Sequence, residues 1–308
     1  MTTNLRQRMT EDMQVRNLSF LTQSSYVQQV SMFARHFDRS PAVLGLEDIR
    51  DYQLYLTNQK KLNASSIKVA VSAIRFLYRV TLQRQWDFDE VVPSPKKPRT
   101  LPIILSPQEV VHFLGCVTNL KQRTILTTCY AAGLRISEAV HLMPSAIDRQ
   151  RMVIRIEQGK GRKDRHVMLS PDTYALLREW WPVRSNKYDL GVPIEERWLF
   201  PGRRKGMHLT ERQVSRLFQE AVAAAGLMKK VTLHTLRHSF ATHLYDQGVD
   251  IRTIQALLGH EKLETTARYA RVATGLITAV ESPLDQLSMP GKSKRKKTKD
   301  TSSDETSA

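Results

Sequence analysis

Cysteine is scarce in this chain of 308 residues: Cys116 and Cys129 are the only two. Two thiols cannot form a disulfide framework or a cysteine-rich zinc module, which fits a reducing compartment. Nowhere does an apolar run reach the roughly 18 residues of a membrane span, and the opening MTTNLRQRMTEDMQ lacks the apolar centre of a signal peptide. The expectation is a soluble cytoplasmic protein without a membrane partner. No internal repeat is visible, no HExxH pair offers a zinc site and no GxxxxGK[ST] loop offers a nucleotide cradle. Acid is also in short supply. Only 30 Asp and Glu face 47 Lys and Arg, which leaves a formal charge of +17 and a pI near 10.0. Such a chain favours polyanions, because neutralising phosphates releases condensed counterions.

Part of that charge sits in one tail. Residues 290 to 308 hold six cations (Lys292, Lys294, Arg295, Lys296, Lys297, Lys299) against Asp300, Asp304 and Glu305, so the tail's net +3 leaves +14 elsewhere. The tail reads as a solvated, disordered end, and the body is basic in its own right. With 41% hydrophobic residues over this length, two domains can each build a core.

Residues 20–90 read as a small all-helical unit within a first, helical domain set at 1–95. Ile67, Ala70, Val71, Ile74, Leu77 and Tyr78 recur at the spacing of one helix face, with Lys68, Arg75 and Arg79 off that stripe as candidate DNA contacts. Tyr26, Val30, Phe33 and Phe37 mark a second helix, and Leu46 to Leu56 a third. The run PSPKKPRTLP at 93–102 has four prolines, which lack an N–H donor and push their predecessors to extended backbone. It marks a linker, set at 96–105, whose Lys96, Lys97 and Arg99 suit either a phosphate backbone or a solvated connector.

A second domain is expected over 106–289. It opens at Ser106-Pro107-Gln108-Glu109, where Ser suits an N-cap, Pro the first helical position and Glu the reciprocal cap. Helix is expected over 121–131 up to Gly133, and Ser137 and Glu138 fall in the first turn of the next. Arg151 to Glu157 and His166 to Leu169 alternate as strands around a cationic tip, Gly159-Lys160-Gly161-Arg162-Lys163, and Trp198-Leu199-Phe200 suggests a third strand. Thr210 to Ala225 is helical. His234 and Arg237 share one face of a further helix. Asp250 and Gly259 suit the N- and C-caps of the helix carrying Ile251, Ile254, Leu257 and Leu258, with His260 directly after.

Singly, each of these polar residues admits a plain structural role. His234 and His238, four apart, together with His243 and His260 invite a metal, but no carboxylate has the right spacing and Arg237 shares their face, so no metal and no cofactor is expected. Taken together, Arg135 in AGLRISEA, Lys160 in GKGRKDR, His234 and Arg237 in HTLRHSFATH, His260 in LLGH and Tyr269 in ARYA resemble, in order and spacing, the tyrosine recombinase or phage integrase family, with an Xer-like layout. The likeness spans nearly the whole chain, since residues 20 to 90 are similar to the family's core-binding domain and Leu101 to Val110 to the run that leads into its catalytic domain.

The resemblance implies a mainly α fold with a small β-sheet. An all-α SAM-like core-binding domain and a mixed α/β catalytic domain would make a C-shaped clamp on double-stranded DNA. It also implies roles. Tyr269 would attack phosphorus and form a 3′-phosphotyrosyl link that keeps the ester's energy, so rejoining needs no ATP. Arg135 and Arg237 would clamp the non-bridging oxygens bidentately, with His260 adding a hydrogen bond. Lys160 would protonate the leaving 5′-oxygen, with Lys163 as its rival, and His234 is the candidate to draw off the tyrosine proton, whose ordinary pKa is about 10. Arg162 and Lys163 would add DNA contacts. Four protomers would exchange strands, as a homotetramer or with a related second recombinase, and Leu276, Ile277, Val280 and Leu284 resemble a segment that docks on a neighbour. The Lys-rich extension after Met289 favours a prokaryotic mobile-element integrase, nucleoid-associated, over Xer-type dimer resolution. A type IB topoisomerase-like relaxing enzyme and a catalytically inactive DNA-binding accessory protein are the alternatives.

Overall fold

The computed structural model describes residues 3–88, 93, 95, 101–157, 164–187, 189, 191–260, 262–270 and 272. Lys96, Lys97, Arg99, Lys160, Arg162, Lys163 and the segment 273–308 lie outside the described residues. Between Thr100 and Leu101 the chain divides into two compact units.

The first unit is helical: α1 (Thr3–Val15), α2 (Phe20–Phe37), α3 (Leu46–Leu54) and α4 (Ala64–Phe76). The apolar stripe of α4 is buried at every position named from its spacing, Ile67 through Tyr78. Phe33 of α2 meets Tyr52 and Tyr78 edge-on at 5.1 and 6.5 Å, and the buried Tyr78 hydroxyl donates to the Pro41 carbonyl at 2.7 Å. Each such side chain withdrawn from water contributes about 1.5–3 kcal/mol. Helices α3 and α4 both end in a π-helical turn, Tyr55–Gln59 and Leu77–Thr81, and Lys61 and Gln83 follow in left-handed backbone, so the chain leaves each helix sharply. Helix α1 goes beyond the sequence expectation. Its buried Leu5, Met9 and Met13 recur only once per turn, too thin a stripe to stand out. Lys68 and Arg79 are exposed, as the α4 pattern requires, whereas Arg75 is half-buried and donates to the Phe88 carbonyl at 3.4 Å.

The second unit runs α5 (Pro107–Gly115), α6 (Leu120–Ala131), α7 (Ile136–Val140), β1 (Ile147–Asp148), β2 (Val153–Ile156), β3 (Arg165–Met168), α8 (Pro171–Val183), α9 (Glu211–Ala224), α10 (Leu233–Asp246), α11 (Ile251–Leu258) and α12 (Leu263–Ala270). At the start of α5, Ser106 Oγ accepts from the Glu109 N–H at 3.1 Å while Glu109 Oε2 accepts from the Ser106 N–H at 2.7 Å, the reciprocal cap read from SPQE. The sheet is antiparallel in the order β1-β2-β3, with Ile154 opposite Val167 and Ile156 opposite Arg165.

One expectation needs correction, and one element is new. The third strand is Ile147–Asp148, not Trp198–Phe200; in the latter segment Leu199 N donates to Leu142 O at 2.9 Å and Phe200 O accepts from Leu209 N at 2.8 Å, and an isolated bridge pairs Pro201 with His208, so its hydrogen bonds join loops rather than the sheet. Helix α8 was not anticipated, although its start, Ser170-Pro171, repeats the form of Ser106-Pro107 and Ser170 Oγ accepts from Thr173 N at 3.2 Å.

Among the described residues no helix is long and apolar enough to cross a membrane, and no three His, Cys, Asp or Glu side chains converge as a metal site.

Candidate active site

Helix α10 carries the centre of the site. Arg237 is buried, with its side chain 4% exposed. Its Nη1 donates to the Gly133 carbonyl at 2.6 Å, and its Nη2 donates to the Leu258 carbonyl and approaches His260 Nε2 at 3.4 Å. Both carbonyls come from helix C-terminal ends, where backbone oxygens lack intrahelical partners and the helix dipole is negative. The two ends exist because glycine closes them. Gly133 (φ +59°) and Gly259 (φ +60°) sit in left-handed backbone, and a Cβ on Gly133 would meet Phe240 Cδ1 at 2.4 Å.

Arg135 precedes α7 and folds back on Glu138, three residues on. Glu138 Oε1 accepts from Arg135 Nη1 at 2.6 Å and Oε2 from the Arg135 N–H at 2.7 Å, while Arg135 Nη2 donates to the Gly259 carbonyl at 3.3 Å. The same carboxylate takes a fork from Arg165 of β3, at 2.9 and 2.8 Å, whose Nε donates to the Leu257 carbonyl at 2.8 Å. Arg237 Nη1 stands 3.8 Å from Glu138 Oε2. One buried carboxylate thus faces three guanidinium groups, an excess of two positive charges. Burial alone would raise the Glu138 pKa, but the Arg165 and Arg135 contacts bring it to about 2.

The imidazoles respond in the opposite sense. Burial first, then Arg237 and Arg135, lowers the His260 pKa to about 3. A neutral His260 accepts from Arg237 at Nε2 and donates from Nδ1 to Thr266 Oγ1, 3.0 Å away. Desolvation and the same two arginines also lower His234, although its residue is exposed. Arg237 itself drops to about 10, through burial and then Arg135.

Tyr269, on α12, is 2% exposed. Its ring lies nearly parallel to that of His260, with centroids 6.2 Å apart. Its hydroxyl is 3.1 Å from His238 Nδ1. Burial raises the phenol's pKa, and Arg237, Arg268 and Arg135 oppose that rise. His243, by contrast, is a tether: its Nδ1 meets the Tyr130 hydroxyl at 2.9 Å and its Nε2 the Leu105 carbonyl at 2.9 Å.

The structure therefore brings Arg135, Arg237, His260 and Tyr269 together with His234 one helical turn from His238, their rings 6.1 Å apart. Lys160 is outside the described residues. Sequence reasoning passed over three participants. Glu138 was read only as a helix-start residue and His238 only as a possible metal ligand. Arg165 carried a usable signal, because in β3 it shares a face with buried Val167, and an inward cation needs a partner. Chemically, the cluster offers fixed positive charge for a phosphodiester beside a phenol that can attack it.

Residues 104–275 match the phage integrase family, and residues 5–88 match the phage integrase N-terminal SAM-like domain. The protein y4qK of Sinorhizobium fredii, named an integrase/recombinase, is 57% identical over 288 residues, covering 94% of this chain and 91% of its own. Tyrosine recombinase XerC of Syntrophus aciditrophicus is 31% identical over 288 residues, covering 86% of this chain and 91% of its own. Among solved structures, XerH site-specific recombinase bound to a palindromic difH substrate has a similar fold, with a TM-score of 0.67 and 23% identity over 86% of this chain and 80% of that one.

Proposed function

Because the chain belongs to the phage integrase family of tyrosine recombinases, and is a site-specific DNA recombinase, we propose that it cuts and rejoins duplex DNA through a 3′-phosphotyrosyl intermediate on Tyr269. The observation that carries this is the convergence of Arg237, His260 and Tyr269, with His260 within 3.4 Å of the guanidinium and stacked beside the phenol.

A scissile phosphate entering here meets the uncompensated charge of three arginines around Glu138. Arg135 and Arg237 are held by carbonyls and carboxylate before substrate arrives, so they stabilise the phosphorane without reorganising. His260 contributes a hydrogen bond to the phosphate oxygens, and an imidazole of α10 draws off the Tyr269 proton, the role the resemblance gives to His234. Lys160 protonates the departing 5′-oxygen. The attack forms the Oη–P bond and breaks the P–O5′ bond, so the phosphodiester energy is conserved and rejoining needs no nucleotide.

Residues 1–95 act as the core-binding domain and 106–289 as the catalytic domain. Exposed Lys68 of α4 and Arg79 of the π-helical turn that follows it meet DNA phosphates, together with Lys96, Lys97, Arg99, Arg162 and Lys163. Half-buried Arg75 is the weakest candidate of that set, since it already holds the Phe88 carbonyl. Four protomers, alone or with a related recombinase, complete the exchange. Identity of 57% to an integrase/recombinase against 31% to a XerC supports a mobile-element role over chromosome-dimer resolution.

Tyr269→Phe should keep its affinity for duplex DNA and form no covalent adduct with a nicked suicide substrate on a denaturing gel. A persisting adduct would move the nucleophile elsewhere. A relaxing enzyme, unlike a recombinase, would unwind a supercoiled plasmid that carries no recombination site.

A further inference from the structure

We propose that His238 is a further catalytic residue: it takes the proton from the Tyr269 hydroxyl as the phenol oxygen attacks phosphorus. The inference rests on Tyr269 being the nucleophile.

The geometry is direct. The only side chain hydrogen-bonded to the Tyr269 hydroxyl among the described residues is His238, at 3.1 Å through Nδ1, and the two rings pack at 5.6 Å. That distance lies within the range expected between a base and the group it deprotonates. His234 lies a helical turn earlier and exposed, whereas His238 is half-buried against the ring it serves. With Nδ1 accepting the phenol's hydrogen, the imidazole carries its own proton on Nε2.

The surrounding charges explain when the transfer runs. His238 is faced by His234 and Arg237 on its own helix, by Arg268 and Tyr269 on α12, and by His260 after α11. Burial, followed by the fields of His234, Arg268 and Arg237, holds it at about 4, so at neutral pH it is an unprotonated acceptor. An acceptor held so low is a weak base while the site is empty of anion. A phosphodiester brings one negative charge and its phosphorane a second, which offset the arginine field and raise the imidazole's proton affinity as the phenol must ionise. The step balances: the Oη–H proton moves to His238 Nδ1, the Oη–P bond forms, the P–O5′ bond breaks, and O5′ takes a proton from the general acid. On rejoining, the imidazolium returns the proton to the phenolate.

The test isolates this proton from that of the leaving group. A suicide duplex with sulfur in place of the bridging 5′-oxygen has a leaving group that needs no acid. His238→Asn retains a hydrogen-bonding side chain without a base, and its adduct formation should fall by about 10²–10⁴-fold with DNA affinity unchanged. Replacing Tyr269 with fluorotyrosines of lower phenol pKa should restore about tenfold or more of that loss, and the variant's rate should climb with pH where the wild type is flat. The fluorotyrosine series in the otherwise unaltered protein gives a second reading should His238→Asn fold poorly: a weak dependence on phenol pKa is expected while the base is present, and a steep one would overturn the proposal. So would a His238→Asn rate within threefold of wild type, or a loss that fluorotyrosine leaves untouched. If Tyr269→Phe abolishes the adduct while His238→Asn does not slow it, this inference alone fails; an adduct surviving Tyr269→Phe would sink the nucleophile assignment itself.

Discussion

Glu138 shows how a single side chain can set the charge state of a site. Its carboxyl, ordinarily near 4.5, is carried down to about 2 against the opposing effect of burial. In the unfolded chain it titrates near the ordinary value. The native state therefore gains from its ionisation at any pH above about 4.5, and that gain is lost as pH falls towards 2. The gap corresponds to about 3 kcal/mol. Glu138→Gln should be less stable at neutral pH by about 3–5 kcal/mol, because three guanidinium groups lose their buried counter-charge. The stability difference between the wild type and this variant, measured by urea unfolding at successive pH values, should shrink by most of that 3 kcal/mol between about pH 4.5 and pH 2.5. Equal slopes for the two proteins would mean that the carboxylate is not held by the arginines. At this scale the sequence is legible wherever chemistry restricts residue type. Arg135, Arg237, His260 and Tyr269 could be named because their motifs, order and spacing resemble those of the family, and phosphate clamping and attack explain why the residue types are so restricted. Glu138, Arg165 and His238 act by touching those residues, and a contact such as that of Arg165 with Glu138, 27 residues apart, leaves only the faint trace of a cation on an inward strand face.

Helix ends, more than helix faces, place the arginines. Gly133 closes the turn after α6 and Gly259 closes α11, and the carbonyls of Gly133, Leu257, Leu258 and Gly259 accept from Arg237, Arg165 and Arg135. Gly133→Ala puts an L-residue into left-handed backbone and a methyl 2.4 Å from the Phe240 ring. Strain and overpacking together should cost about 2–4 kcal/mol. Phe240 is buried on α10, so relieving the clash disturbs the packing beside the Gly133 carbonyl that orients Arg237. Urea unfolding should report the lost stability, and single-turnover cleavage should fall by more than DNA binding does; a variant with wild-type stability would show that α10 shifts freely. The caps themselves were readable. Asp250 Oδ2 accepts from Arg252 N and Thr253 N at 2.8 and 3.1 Å, as its position ahead of an apolar run predicts. Helix α1 and the segment Trp198–Phe200 were not, because the first buries one side chain per turn and the second makes its backbone hydrogen bonds with Leu142 and Leu209, outside any sheet.

At the scale of the whole molecule the charge of +17 predicts a partner and leaves its sequence open. Phosphate contacts carry affinity and register, whereas base contacts carry specificity, and the contacts proposed above for Lys68 and Arg79 are of the first kind. If the basic body binds the duplex, affinity for DNA lacking a recombination site should fall steeply with salt. With 6–10 phosphates neutralised the loss is about 10³–10⁵-fold between about 50 and 200 mM. The tail at 290–308 contributes six cations, so deleting it can lower the slope of log affinity against log salt by no more than about 5. Lys68→Ala in α4 and Arg79→Ala in the π-helical turn that ends it should each lower the slope by about 1, equally on site-bearing and site-free DNA. Fluorescence anisotropy titrations across a salt series measure all of these. A slope that vanishes with the tail would place the polyanion affinity there and remove α4 from the DNA-contacting surface. A slope that survives tail deletion and drops with each of these two substitutions would tie the excess charge of the body to the phosphate backbone.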